Sequence, residues 1–148
     1  MKKIFLMFLF LFLALPVKAA EFDMVRGVFD ASGITEVVPE ATMDAVVAAG
    51  GSAPAYVFKL AAAVVKTAAE RGLDPETGLR LFAQTLTGSA KMLLESGHSA
   101  EALIRMVASP NGTTAAALEK MDALGFDEAV CAAVNACVDR SIELGSGV

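Results

Sequence analysis

The hydrophobic and polar positions fall into two regimes along the chain. Lys2 and Lys3 precede an uninterrupted apolar run from Ile4 to Leu15, after which Pro16 breaks the pattern and Val17-Lys18-Ala19 offers small residues at the −3 and −1 positions of a cleavage site. A charged start, an apolar middle and a small-residue end, in that order, predict a secretory signal peptide over residues 1–19. As helix, the twelve apolar residues span about 18 Å against a hydrocarbon core of roughly 30 Å. Cleavage near Ala19 therefore fits better than a permanent anchor. The expectation is a periplasmic or secreted protein that meets the membrane only through its signal peptide, during export.

Beyond residue 20 the period changes. Phe22, Val25, Val28 and Phe29 mark a short amphipathic helix that stops at Gly33, and Ile34-Thr35-Glu36-Val37-Val38 alternates as a strand before Pro39. From Glu40 onwards every segment reads as helix. Gly50-Gly51 is a breaker, and Ser52 or Ala53 leads into Pro54 at a first helical turn. Ala55 to Arg71 is apolar nearly all round, carrying Tyr56, Val57, Phe58, Leu60, Val64 and Val65, with only Lys59, Lys66, Glu70 and Arg71 charged. A helix apolar on every side must be central. A domain this small has too few neighbouring helices to cover it, which predicts burial by a second subunit.

Gly72 ends that helix, and Asp74 with Pro75 opens the next, whose Leu79, Phe82, Leu86 and Leu93 continue to Ser96. Gly78 and Gly88 inside it each cost about 1 kcal/mol relative to alanine, so close helix packing is expected at both. Ser99 caps a short helix to Val107, Thr114 is the predicted N-cap of a helix over Ala115 to Leu124, and Asp127 that of a last one closed by Gly145. The fold class is all-α: a helical bundle expected to interlock as an intertwined homodimer, residues 40–148, preceded by a helix-strand remnant at residues 20–39.

Composition narrows the function. Residues 21–148 carry 9 basic and 17 acidic side chains, a net charge of −8, which argues against a nucleic-acid face. Trp is absent and Tyr56 is the one tyrosine. Cys131 and Cys137 lie six residues apart on one predicted helix, about 9 Å along its axis and beyond the roughly 7 Å limit for bridging. They read as buried small hydrophobes, with an intermolecular bridge across a dimer axis as the alternative. His98 is the only histidine and reads as an exposed turn residue, so no metal site is expected. No G-x-G-x-x-G or Walker loop is present to cradle a dinucleotide or a triphosphate. Ser109-Pro110-Asn111-Gly112-Thr113-Thr114 stands apart. It gathers hydroxyls and backbone N–H groups at a helix N-terminus, the construction of a carboxylate-binding nest as well as of an ordinary capped turn.

Gly51-Ser52-Ala53-Pro54-Ala55-Tyr56, then Gly88-Ser89-Ala90-Lys91-Met92-Leu93-Leu94, then Val107 to Thr114 and Ser141-Ile142-Glu143-Leu144-Gly145 occur in one order and spacing. In these motifs the chain resembles the pyrroline-5-carboxylate reductase family, over its C-terminal dimerisation and substrate-binding half. The resemblance implies a helical domain that interlocks as a homodimer, and makes residues 22–38 similar to the end of the family's Rossmann domain. It implies that Ser109, Gly112 and Thr113 hold the carboxylate of a small amino or imino acid. Thr114 would hydrogen-bond the ring nitrogen, as the catalytic contact. Ser52 and Ala53 are the weak candidates for touching the cofactor. In the family that cofactor is NADPH, which reduces 1-pyrroline-5-carboxylate to L-proline in proline biosynthesis. None is expected to bind this chain alone, which predicts no independent reductase activity. Two departures stand out: Ala53 replaces a glycine of the family pattern, and Asn111 replaces the first glycine of the substrate loop, where asparagine suits a positive φ. The alternatives are an exported structural or ligand-binding dimer module, and one component of a split reductase.

Overall fold

The computed structural model describes residues 19–147, so the predicted signal peptide lies outside the described residues except for Ala19. The chain divides into two compact units, one ending at Glu40 and one running from Ala41 to Val148.

In the first unit, helix α1 (Ala19–Asp30) carries an Arg26–Asp30 ion pair one turn apart, at 3.6 Å. Its apolar residues Phe22, Val25 and Val28 are exposed. A turn closed by the Ser32 amide on the Phe29 carbonyl ends it. Ile34 to Val38 then runs without regular structure and pairs with no strand among the described residues, so the predicted strand does not form. Alternation sets which faces a strand would have, but a strand exists only through its ladder of hydrogen bonds to a neighbour.

The second unit is helical. It opens with a 3-10 turn (Glu40–Thr42), the short helix α2 (Met43–Val46) and a π-helical turn (Val47–Gly51), which lead into α3 (Ala53–Glu70). The break expected at Gly50-Gly51 does not occur: the pair widens the path into the π turn, which closes through the Ser52 amide on the Val47 carbonyl at 2.8 Å. Gly72, at φ +93°, reverses the chain into α4 (Pro75–Glu95), which packs antiparallel on α3. Gly78 is buried at that crossing, where an added Cβ would touch Leu73 at 3.4 Å. At Gly88, by contrast, an added Cβ meets nothing within 4 Å, so the expected close packing is absent there. Helices α5 (Ala100–Val107), α6 (Thr113–Ala123) and α7 (Phe126–Gly145) complete the unit, with α7 against α2, the π turn and α6.

Two of the predicted caps hold. Asp74 accepts from the Thr77 amide at 2.8 Å, and Ser99 accepts from the Ala102 amide at 3.2 Å. The cap of α7 is instead Gly125, at φ 71° and ψ 41°, and Asp127 sits inside the first turn without a capping bond. There its charge still complements the positive helix end. The Thr77 amide, then the Thr77 side chain, hold the Asp74 carboxyl below its ordinary pKa. A lowered folded-state pKa means that the cap's contribution is complete above the ordinary carboxylate range and is lost as pH falls through the lowered value. Asp74→Ala is therefore expected to unfold at a lower temperature than wild type near neutral pH, with the gap narrowing toward acid. A gap of equal size at every pH would contradict this origin.

The most consequential feature is a missing core. Among the described residues Ala48 is the only buried hydrophobic side chain, and no large one is fully buried. Residues Glu40 to Glu70 form one helical run of mean hydropathy 1.3 over its most apolar stretch, only 11% of which is buried. Length and composition alone would let this run cross a membrane. Phe58 on it is 70% exposed. A second apolar surface lines an open groove of about 960 Å³ between α4 and α5, where Leu93, Leu103, Ile104 and Val107 face one another.

Candidate functional site

The loop between α5 and α6 and the first turn of α6 gather Ser109, Gly112, Thr113 and Thr114. Ala108 ends α5, and the Gly112 amide donates to the Ser109 carbonyl at 2.9 Å, closing a four-residue turn with Pro110 and Asn111 at its centre. Proline presets the first central position, and the second requires positive φ, as in a type II turn. Asn111 supplies it at φ 58°, the only non-glycine residue with positive φ among those described. The asparagine for glycine departure is thus compatible with the turn. Asn111→Ala, which puts a residue less tolerant of positive φ at that position, is expected to cost about 1 kcal/mol, and Asn111→Gly to be close to neutral. Denaturant unfolding would measure both, and equal stabilities for the two variants would refute the turn argument.

Thr114 is not the N-cap. Gly112 is, in extended conformation at φ −80° and ψ 168°, and its carbonyl accepts from the Ala116 amide at 3.2 Å. Helix α6 therefore starts one residue before Thr114, and no side chain caps it. The amides of Thr113, Thr114 and Ala115 in that first turn have no intrahelical acceptor, and they point from the positive end of the helix. Gly112 also sits in a tight place. A Cβ there would lie 2.5 Å from Ser109 Oγ and 3.0 Å from the Ser109 carbonyl oxygen, so the serine hydroxyl stands directly over the start of α6. Ser109 and Thr113 are exposed and Thr114 is half-buried. Residues 108–114 contain no charged side chain. The loop's means of recognition are N–H groups, hydroxyls and a helix dipole, a set suited to a small carboxylate.

Ser52 and Ala53 sit elsewhere, where the π turn passes into α3, and no described contact joins them to the loop. Ser52 Oγ accepts from the Cys137 thiol of α7 at 3.2 Å. The Tyr56 hydroxyl, one turn further on, is buried and makes no hydrogen bond of normal geometry among the described residues. The neighbouring Cys137 thiol, and secondarily desolvation, push its pKa above the ordinary phenol value. A second polar pin joins Ser141 Oγ to Asp44 Oδ1 at 2.6 Å, one helical turn along α7. These two bonds fasten the last helix to the start of the unit across 85 and 97 residues of chain. Neither pairing was legible in the sequence, because no local pattern relates positions so far apart.

The cysteines differ from expectation in one respect. Both are free, but Cys131 is exposed and only Cys137 is half-buried. Their side chains lie on different faces of α7, the consequence of six residues at 3.6 per turn. His98 is exposed, as expected for its turn. The described residues hold no group of three or more His, Cys, Asp or Glu placed to share a metal ion.

The helical unit has counterparts among known proteins. Residues 40–144 match the family model for pyrroline-5-carboxylate reductase dimerisation. The chain is 43% identical over 129 residues to the pyrroline-5-carboxylate reductase of Pseudomonas aeruginosa, covering 86% of this chain and 47% of the relative. It is 36% identical over 129 residues to pyrroline-5-carboxylate reductase 2 of Bacillus subtilis, with 86% and 46% covered. Among solved structures it superposes on the Plasmodium falciparum pyrroline carboxylate reductase, crystallised with NADP bound, at a TM-score of 0.81 and 29% identity, covering 88% of this chain and 52% of that one. The Coxiella burnetii pyrroline-5-carboxylate reductase gives a TM-score of 0.80 at 32% identity, with 86% and 48% covered. The chain thus spans about half the length of the curated relatives it matches. With the match filling most of the helical unit and the same fold recurring in those structures, this chain belongs to the pyrroline-5-carboxylate reductase family, through its dimerisation domain.

Proposed function

We propose that the protein works as a homodimer whose subunits interlock through α3 and the α4–α5 groove, and whose 109–114 loop holds the carboxylate of a small amino or imino acid resembling proline. The observation that carries the reading is the missing core: Ala48 is the only buried hydrophobic side chain described, while Phe58 and Leu93 are exposed on the two surfaces a partner would cover. Exposed apolar surface on this scale marks an interaction site, and a domain of the dimerisation family supplies the partner as a second copy. Light scattering of the mature chain without detergent is expected to give a dimer. A folded monomer would overturn the reading, and insolubility without detergent would favour a membrane for the Glu40–Glu70 run.

Within this reading Ser109 and the backbone of Gly112 and Thr113 orient the ligand carboxylate, the Thr113 amide donating to it while the Gly112 amide holds the turn through the Ser109 carbonyl, and Thr114 offers its hydroxyl to the ring nitrogen. Holding the ligand in one orientation is the catalytic share such a loop would contribute in a reductase. No G-x-G-x-x-G or Walker loop occurs in the sequence, and Ser52, a weak candidate for contact, accepts from the Cys137 thiol while its own O–H stays available to donate. The reading places the mature dimer in the periplasm or outside the cell, on the strength of the charged, apolar and small-residue order over residues 1–19.

Thermal unfolding with and without L-proline tests the ligand site. A ligand at about a hundredfold its dissociation constant adds roughly 2.7 kcal/mol. The expected result is a rise in melting temperature with L-proline that is lost in Thr114→Ala while the fold persists. NADPH is expected to give no rise. No rise with L-proline in either protein would leave a dimeric scaffold whose loop is only a turn.

A further inference from the structure

We draw no further inference here: the strongest candidate, the extended segment Ile34–Val38 with its exposed Ile34, Val37 and Val38 after the apolar face of α1, carries nothing because nothing in the structure shows what covers it.

Discussion

Replacing Phe58 by alanine is expected to destabilise the protein by about 3–5 kcal/mol, the cost of truncating a buried phenylalanine. A single chain gives no reason for so large an effect. Phe58 is 70% exposed there, and substitutions at such positions usually stay within about 0.5 kcal/mol. The proposed homodimer accounts for the difference: its second copy would bury Phe58, and removing the ring would then leave a cavity in a core that the described residues of one chain do not form. The same origin makes the melting temperature of the wild type rise with protein concentration, since association and folding are then one equilibrium. Leu93→Ala, in the α4–α5 groove, is expected to act in the same direction. Chemical denaturation at two protein concentrations checks all of this. A Phe58→Ala cost below about 0.5 kcal/mol, together with concentration-independent unfolding, would sink the homodimer.

The second large effect is expected at Gly112. A methyl group there would come within 2.5 Å of Ser109 Oγ and 3.0 Å of the Ser109 carbonyl oxygen. The hydroxyl could rotate away, but the carbonyl belongs to the backbone and already accepts the Gly112 amide. Relief therefore requires the hydroxyl to rotate and the carbonyl to give by a few tenths of an ångström, at a cost of about 1–3 kcal/mol, the usual range for overpacking a tight site. The rotation also takes the Ser109 hydroxyl away from the start of α6. Gly112→Ala should consequently weaken the L-proline shift while remaining a dimer, because Gly112 is not among the residues that line the α4–α5 groove and is not on α3. Thr114→Ala should lose the shift with little change in basal stability. An L-proline shift of wild-type size in Gly112→Ala would show that the loop does not hold the ligand.

Much of the helical architecture was legible in the chain because its signals are local. Asp74-Pro75 and Ser99 open helices where predicted, Gly72 reverses the chain at a positive φ, and Asn111 adopts the left-handed conformation for which asparagine is the best substitute for glycine. The errors also have local causes. Glycine can cap a helix with no side chain at all, so Gly112 and Gly125 took the positions assigned to Thr114 and Asp127. Gly50-Gly51, a breaker by propensity, became a π turn because the helical path on either side continues through it.

The candidate site divides along the same line. Ser109 to Thr114 could be recognised from sequence, since its residues are consecutive and their chemistry is that of one turn and one helix end. The weak cofactor candidates Ser52 and Ala53 could not be placed relative to it, nor could the Cys137 thiol and Tyr56 phenol that surround Ser52. Their neighbourhood is made by α7, far along the chain.

By itself, then, the amino-acid sequence determined the all-α class, the helix order and the surplus of apolar surface on Ala55 to Arg71. All of these follow from rotamer and backbone preferences and from periods of a few residues. Only the tertiary structure decided that α3 and α4 leave their apolar faces uncovered, that Ile34 to Val38 forms no ladder, and that Ser52 and Asp44 are pinned to α7. Burial and strand pairing are relations between distant parts of a chain. Their energy depends on which surfaces meet, a quantity that no single stretch of sequence contains.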